Sequence, residues 1–291
     1  MSIPMNSICI ACRVDRIANT VSTLGDEAKT TAFLKEWMAM AARYPVDVDS
    51  ARCGYYTDRL IEKFYGVDPA DSHKQDKADS NRFALERIDL IRSRIEAEAD
   101  PVYAGLQYAI LGNYLDFSAL RGKVSYAQLE EMLNKYKDFV LDKTVVADFC
   151  AQLAKAKKLL IFTDNAGEIV FDRVLAELLQ KKYPKLQIVF CVRGKPVAND
   201  ATREDAEAVG IPFPVVDSGT AIGGTDISLL PPEAKKELEE ADVILAKGMG
   251  NTESMFGCGY NVFYAFLVKC RRFEEYFNAP FMQAMFVKEK V

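Results

Sequence analysis

Hydrophobic and polar positions change rhythm once along the chain, near Lys157. Before it, apolar residues recur every three or four positions, the spacing of amphipathic helices. After it, short apolar runs alternate with helical stretches, as in strands joined by crossover helices. In the first half Asp26 caps a predicted helix running to about Arg43, with Phe33, Leu34, Trp37, Met38 and Ala41 on one face and Pro45 beyond the stop. Leu60, Ile61 and Phe64 predict a second helix ended by Gly66. A long charged helix is predicted over 72–99, where Phe83, Ile88, Ile91 and Ile95 keep a helical stripe and Pro101 follows. Further helices are predicted over 102–111, 126–136 and 145–156.

In the second half strands are predicted over 158–163, 186–192, 213–216 and 242–246, with weaker candidates over 261–268 and 280–287. Helices are predicted over 168–179, 202–209, 231–240 and 272–277. Strands and helices in alternation with short links imply a parallel, doubly wound sheet. The expected division is a helical part over 1–155 and an α/β part over 156–291. No internal repeat, low-complexity tract or flexible linker interrupts it.

Three predicted strands are each followed by a polar cluster. The first is Asp164-Asn165-Ala166-Gly167-Glu168. The second, Arg193 to Thr202, contains Asn199-Asp200. The third is Lys247-Gly248-Met249-Gly250-Asn251-Thr252-Glu253. Taken singly, an Asp-Asn turn or an Asn-Asp pair before a helix is a cap, and Gly248 and Gly250 are turn glycines. Taken together, the clusters sit on one edge of a parallel sheet, where open α/β sheets build ligand sites.

Composition narrows the chemistry. The chain has 291 residues and a formal charge of −5, which disfavours nucleic acid as a partner. No apolar run is long enough for a membrane span. The first residues lack the basic and apolar regions of a signal peptide. Seven cysteines, an odd number scattered through the chain, point to a reducing, cytoplasmic setting. The single histidine, His73, lies in a very polar run. A histidine-rich zinc site, a Ser-His-Asp triad or a Cys-His pair would each depend on it. A metal is therefore expected on oxygen atoms, which suits magnesium, manganese or a similar hard ion.

The expected site follows. Asp164, Asn165 and Asp200 ligate one divalent ion, which holds a phosphate oxygen and a water. Backbone N–H groups near Gly167 and Glu168 cradle the phosphate at the helix start. Lys247 neutralises charge on the phosphoryl group. Glu168 or Asp116 orients water or a substrate hydroxyl.

These clusters resemble the damage-control phosphatases, also known as domain of unknown function 89. Gly112-Asn113-Tyr114-Leu115-Asp116 resembles an element of that family's helical region. Cys9-Ile10-Ala11-Cys12 resembles the N-terminal cysteine pair of its compact prokaryotic branch. The resemblance runs from residue 9 to about 255. It implies a three-layer α/β/α, Rossmann-like fold with a helical domain. It also implies metal-dependent hydrolysis of small phosphometabolites: sugar phosphates, phosphopantetheine derivatives or nucleotides. The cofactor it implies is one manganese, cobalt, nickel or magnesium ion. By resemblance Asp164, Asn165 and Asp200 match the metal ligands, Lys247 a phosphate-contacting lysine, and Asn113 and Asp116 positions lining the cleft. Met249 stands where many relatives carry a polar residue. Whether a water or Asp164 itself attacks phosphorus is left open.

Other readings compete. A haloacid-dehalogenase-type phosphatase would use Asp164 as nucleophile but wants an aspartate where Ala166 stands. A Rossmann-like nucleotide-binding module or methyltransferase lacks its glycine-rich loop after the first strand. Cys9 and Cys12 read as half a metal site, a redox pair or two packed small residues. The other cysteines read as core.

Overall fold

The computed structural model describes residues 2–117, 119–120 and 123–289. The first part of the chain forms α1 (Ser7–Val21), α2 (Glu27–Ala41), α3 (Ser50–Tyr65), α4 (Lys74–Leu85), α5 (Ile88–Glu96), α6 (Pro101–Gly112), α7 (Tyr126–Asn134) and α8 (Lys143–Leu153). The second part runs β1 (Lys158–Phe162), α9 (Glu168–Lys182), β2 (Gln187–Val192), α10 (Arg203–Ala208), β3 (Val215–Asp217) and α11 (Pro232–Glu240). It continues with β4 (Val243–Lys247), α12 (Gly248–Met255), β5 (Val262–Leu267), α13 (Arg271–Phe277) and β6 (Ala284–Lys288). Short 3-10 turns lie at Pro69–His73, Tyr136–Asp138 and Ile227–Leu229.

The expected caps form. Asp26 accepts from the N–H of Lys29, and Gly66 ends α3 in the left-handed conformation with φ +74°. Pro232 occupies the first turn of α11. The helix expected over 72–99 is two helices. The chain turns at Glu86 and Arg87, where the Arg87 guanidinium bonds the Phe83 carbonyl at 2.9 Å and stacks 3.7 Å from the Phe83 ring. That local arrangement breaks a helix whose apolar stripe alone would continue.

The six strands form one sheet in the order β3-β2-β1-β4-β5-β6. β1 to β5 are parallel, and β6 pairs antiparallel with β5. Strand side chains alternate between faces with period two. Leu159 and Ile161 of β1 join the core shared with α4 to α9. Leu160 and Phe162 join the core shared with α11, α12 and α13. Helices thus cover both faces, giving three layers. Residues before β1 form no strand among those described, yet the first core continues from α4–α8 into the sheet. Only α1 to α3 keep a small core of their own, around Phe33, Trp37, Cys53 and Ile61.

The strand order reverses at β1. The chain steps from β1 out to β2 and β3, then returns to place β4 on the other side. Ligands of open α/β sheets bind at such a switch point, beyond the carboxyl ends of the strands. Asp164 follows β1, and Lys247 ends β4.

Candidate active site

Four strand ends meet here. Asp164 and Asn165 follow β1, Asp200 comes from the segment after β2, and Gly248 opens α12 directly after β4. Lys269 follows β5. A backbone bridge pairs Asn165 with Asp200 and fixes the first two ends against each other. From the helical layer Asn113, at the C-terminus of α6, reaches the same place: its Nδ2 donates to Asp164 Oδ2 at 2.9 Å and to Glu168 Oε2 at 2.8 Å. The carboxamide of Asn165 donates to the same two oxygens, at 2.9 and 2.8 Å.

Arg193, the residue after β2, is a wholly buried guanidinium between two carboxylates. Its Nε donates to Asp200 Oδ2 at 2.6 Å, and its Nη2 stands 3.5 Å from Asp164 Oδ1. Its Nη1 donates to Asn251 Oδ1 and the Gly224 carbonyl, tying in α12. Asp116 accepts from Lys269 Nζ at 2.7 Å, and that ammonium also bonds the Asn113 carbonyl at 2.7 Å. Through Asn113, whose carboxamide bonds Asp164, Lys269 is tied to the same cluster.

Two glycines are required. Gly248 has φ +77°, and a Cβ there would come within 1.9 Å of Asp164 Oδ2. Gly167 also has φ +77°; a Cβ there would meet Leu115 Cδ1 at 2.6 Å and the Ser80 carbonyl at 2.8 Å. The crowding at Gly167 therefore comes from α4 and the end of α6. Its N–H, expected at a phosphate, donates to Asn81 Oδ1 at 2.6 Å, and the next amide back, that of Ala166, donates to the Asn199 carbonyl.

Glu168 and Lys247 sit deeper than expected. Both side chains are wholly buried and pair at 2.8 Å. Lys247 Nζ also bonds the Ala109 carbonyl at 2.7 Å and meets Asp172 at 3.0 Å. Asp164, Asn165, Asp200, Asn113 and Asp116 thus converge, while Glu168 and Lys247 stand behind them.

Electrostatics set the chemistry. Burial, then the neighbouring Asp200 and Glu168, raises Asp164 well above the ordinary carboxylate value. Burial also raises Asp200 against the pull of Arg193. Asp116 is opposite: burial acts upward, but Lys269, the Ala119 N–H and Arg16 together hold the carboxyl low. Five carboxylates (Asp116, Asp164, Glu168, Asp172, Asp200) are in contact with three cations (Arg193, Lys247, Lys269), a formal excess of two negative charges. One of those charges belongs to the Glu168, Asp172 and Lys247 group behind the site and one to the cleft; the donor oxygens of Asp164, Asn165 and Asp200 there suit a hard divalent cation. Among the described residues no three His, Cys, Asp or Glu side chains converge as a metal cage. The donors on hand are two carboxylates and a carboxamide. The same observation leaves Cys9 and Cys12 without a ready zinc site among the described residues; both are half-buried on α1. His73 pairs with Asp76 at 3.2 Å, at the end of a 3-10 turn.

Sequence reasoning missed Lys269, Asn81 and Asp172, and gave Arg193 and Asn199 no role. Lys269 does leave a signal, a lone charge inside the apolar run Phe266 to Cys270; Asp172, next to Arg173, leaves none.

Fold and site together define a doubly wound α/β protein with an acidic, oxygen-donor centre at its switch point. The profile of the damage-control phosphatase ARMT1-like domain matches residues 5–280, and the chain belongs to that family. It is similar to an uncharacterised protein of Methanocaldococcus jannaschii, 34% identical over 87% of this chain and 82% of that protein. It is also 28% identical to a damage-control phosphatase of Archaeoglobus fulgidus, over 86% of this chain and 87% of that one. The crystal structure of a DUF89 family protein from Pyrococcus horikoshii superposes with a TM-score of 0.83 at 24% identity, covering 100% of both chains. That likeness establishes the three-layer fold. No helix among the described residues is long and apolar enough to cross a membrane.

Proposed function

We propose that this protein is a metal-dependent phosphomonoesterase acting on small phosphorylated metabolites: sugar phosphates, phosphopantetheine-type compounds or nucleotides. Family membership supports phosphatase activity. The observation that carries the metal is the excess of carboxylate at the switch point, where Asp164 and Asp200 stand beside the carboxamide of Asn165. A divalent ion there (manganese, magnesium, cobalt or nickel), when bound, supplies Lewis-acid polarisation of the phosphoryl group and acidifies a water.

The chain's own residues do the rest. Asp164, Asn165 and Asp200 hold the cation. Arg193 fixes Asp200 and Asn251 in place. Lys269, whose buried ammonium bonds Asp116 and the Asn113 carbonyl and keeps one proton beyond those two, takes the phosphate-facing role first expected of Lys247. Asp116 orients that lysine and a water or substrate hydroxyl. The half-buried start of α12, at Met249 and Gly250, brings helix N–H groups to the phosphate beside Asp164. Hydrolysis then adds a water oxygen to phosphorus, breaks the ester P–O bond and returns a proton to the leaving alcohol.

The test is phosphate release from p-nitrophenyl phosphate and a panel of sugar phosphates and nucleotides. Chelated protein receives magnesium, manganese, cobalt or nickel in turn. Activity should require metal, vanish in folded Asp164→Ala, and fall about a hundredfold or more in Lys269→Ala. Metal-independent release, or none with any metal, rejects the reading.

A further inference from the structure

Asp172, Lys247 and Glu168 form a buried charged chain directly behind the donor set. Glu168 and Asp172 lie four residues apart on α9 and so share one helix face. Lys247 ends β4 and inserts between them, 2.8 Å from Glu168 Oε1 and 3.0 Å from Asp172 Oδ1. All three side chains are wholly buried. An ammonium has three protons. Two of those of Lys247 go to Glu168 and the Ala109 carbonyl, and the ammonium faces Asp172 as an ion pair. All three partners are buried, so the ammonium is committed behind the donor set. Neither oxygen of Asp172 has a hydrogen-bond partner among the described residues, so the Lys247 ammonium, 3.0 Å away, meets its charge as an ion pair.

Glu168 passes this anchoring on. Its Oε2 accepts from Asn165 Nδ2 at 2.8 Å, from Asn113 Nδ2 at 2.8 Å and from the Asn165 backbone N–H at 3.3 Å. An ionised carboxylate only accepts hydrogen bonds, so both carboxamides must turn their NH2 groups toward it. The carboxamide oxygens are thereby turned away. Asn113 Oδ1 accepts from the Leu267 N–H at 3.1 Å, and Asn165 Oδ1 accepts from Asn199 Nδ2 at 3.1 Å. The second proton of each NH2 reaches Asp164 Oδ2, at 2.9 Å in both cases. One side of Asp164 is thus pinned, and Asn165 Oδ1 keeps a lone pair beyond the one Asn199 uses.

We propose that Asp172 and Lys247 are positioning residues. They lock Glu168, and Glu168 sets the carboxamide of Asn165 and one oxygen of Asp164 so that their remaining lone pairs face a divalent cation. The proposal rests on the metal-dependent reading above. It removes Lys247 from direct contact with phosphate and gives it a role through metal affinity.

The test measures manganese binding apart from catalysis. Free Mn2+ is titrated by electron paramagnetic resonance into chelated wild type, into the charge-balanced pair Lys247→Met with Asp172→Asn, and into Glu168→Gln. The last keeps the Lys247–Asp172 pair, and so serves where the double variant fails to fold. Each variant that folds by circular dichroism should bind Mn2+ about 10- to 100-fold more weakly, the usual effect of losing a group that orients metal ligands. At saturating Mn2+ the KM for p-nitrophenyl phosphate should stay at the wild-type value. Unchanged Mn2+ affinity in a folded variant, or a raised KM at saturating metal, overturns the positioning role. Wild type that releases phosphate and binds Mn2+, with variants that bind it equally well, rejects this proposal alone. Wild type that does neither rejects the phosphatase reading and this proposal with it.

Discussion

Asp164 has room only because Gly248 has no side chain. A methyl group at 248 would overlap its carboxylate and would also sit at φ +77°, a conformation that costs an ordinary residue about 1–2 kcal/mol. Gly248→Ala should therefore lower the melting temperature by a few degrees and abolish metal-dependent hydrolysis. The two readouts are thermal denaturation and phosphate release. Full activity in the variant would mean that Asp164 tolerates displacement. At this scale the sequence was most legible where a polar cluster interrupts an apolar run after a strand. Asp164, Asn165 and Asp200 were found that way, and they meet. Depth was not legible. Glu168 and Lys247 belong to the same clusters, but burial depends on which side of the switch point each side chain takes. Lys269 went unread because no polar turn follows β5; the charge sits between Val268 and Cys270.

Elements were legible where periodicity and punctuation agreed. Gly66, Pro101 and Pro232 mark helix ends that the structure keeps. The 72–99 stretch was misread as one helix because its apolar stripe runs through a turn stapled by Arg87. The antiparallel direction of β6 follows from chain reversal near Pro280, which strand patterning does not encode. Two consequences belong to the helices. The chain's only tryptophan, Trp37, is buried in the separate core of α1 to α3, with its indole N–H on Thr57 Oγ1 at 3.0 Å. Because that core is distinct from the two that sandwich the sheet, Trp37 fluorescence should change at lower urea than far-ultraviolet circular dichroism. Coincident transitions would show a single cooperative unit.

Glu253 on α12 is the second case. Burial, then Asp49, raises its carboxyl to about 8 from an ordinary 4.5, against Arg13, Arg16 and Arg272. A carboxyl raised on folding is protonated in the folded state while the unfolded chain ionises it. Its contribution is present below about pH 4.5 and is lost as pH rises through about 8. Glu253→Gln removes that loss. Its melting temperature should gain on wild type from pH 5 to pH 8 and then hold a constant lead. A constant difference across the whole range would contradict the shift.

The whole molecule places its chemistry by topology. Strand order brings the ends of β1, β2, β4 and β5 to one edge, and α4 and α6 close the site from the helical layer through Asn81 and Asn113. The parallel sheet was readable from the alternation after Lys157. The shared core was not, because packing α4 to α8 onto the sheet leaves no mark in periodicity. Excess carboxylate at the switch point is the central claim, and its direct test is a crystal soaked in manganese and measured at the manganese absorption edge. An anomalous peak within ligating distance of Asp164, Asn165 and Asp200, absent in Asp200→Ala, is the expected result. A peak elsewhere, or a metal-free site in a crystal that still hydrolyses substrate, would contradict the account.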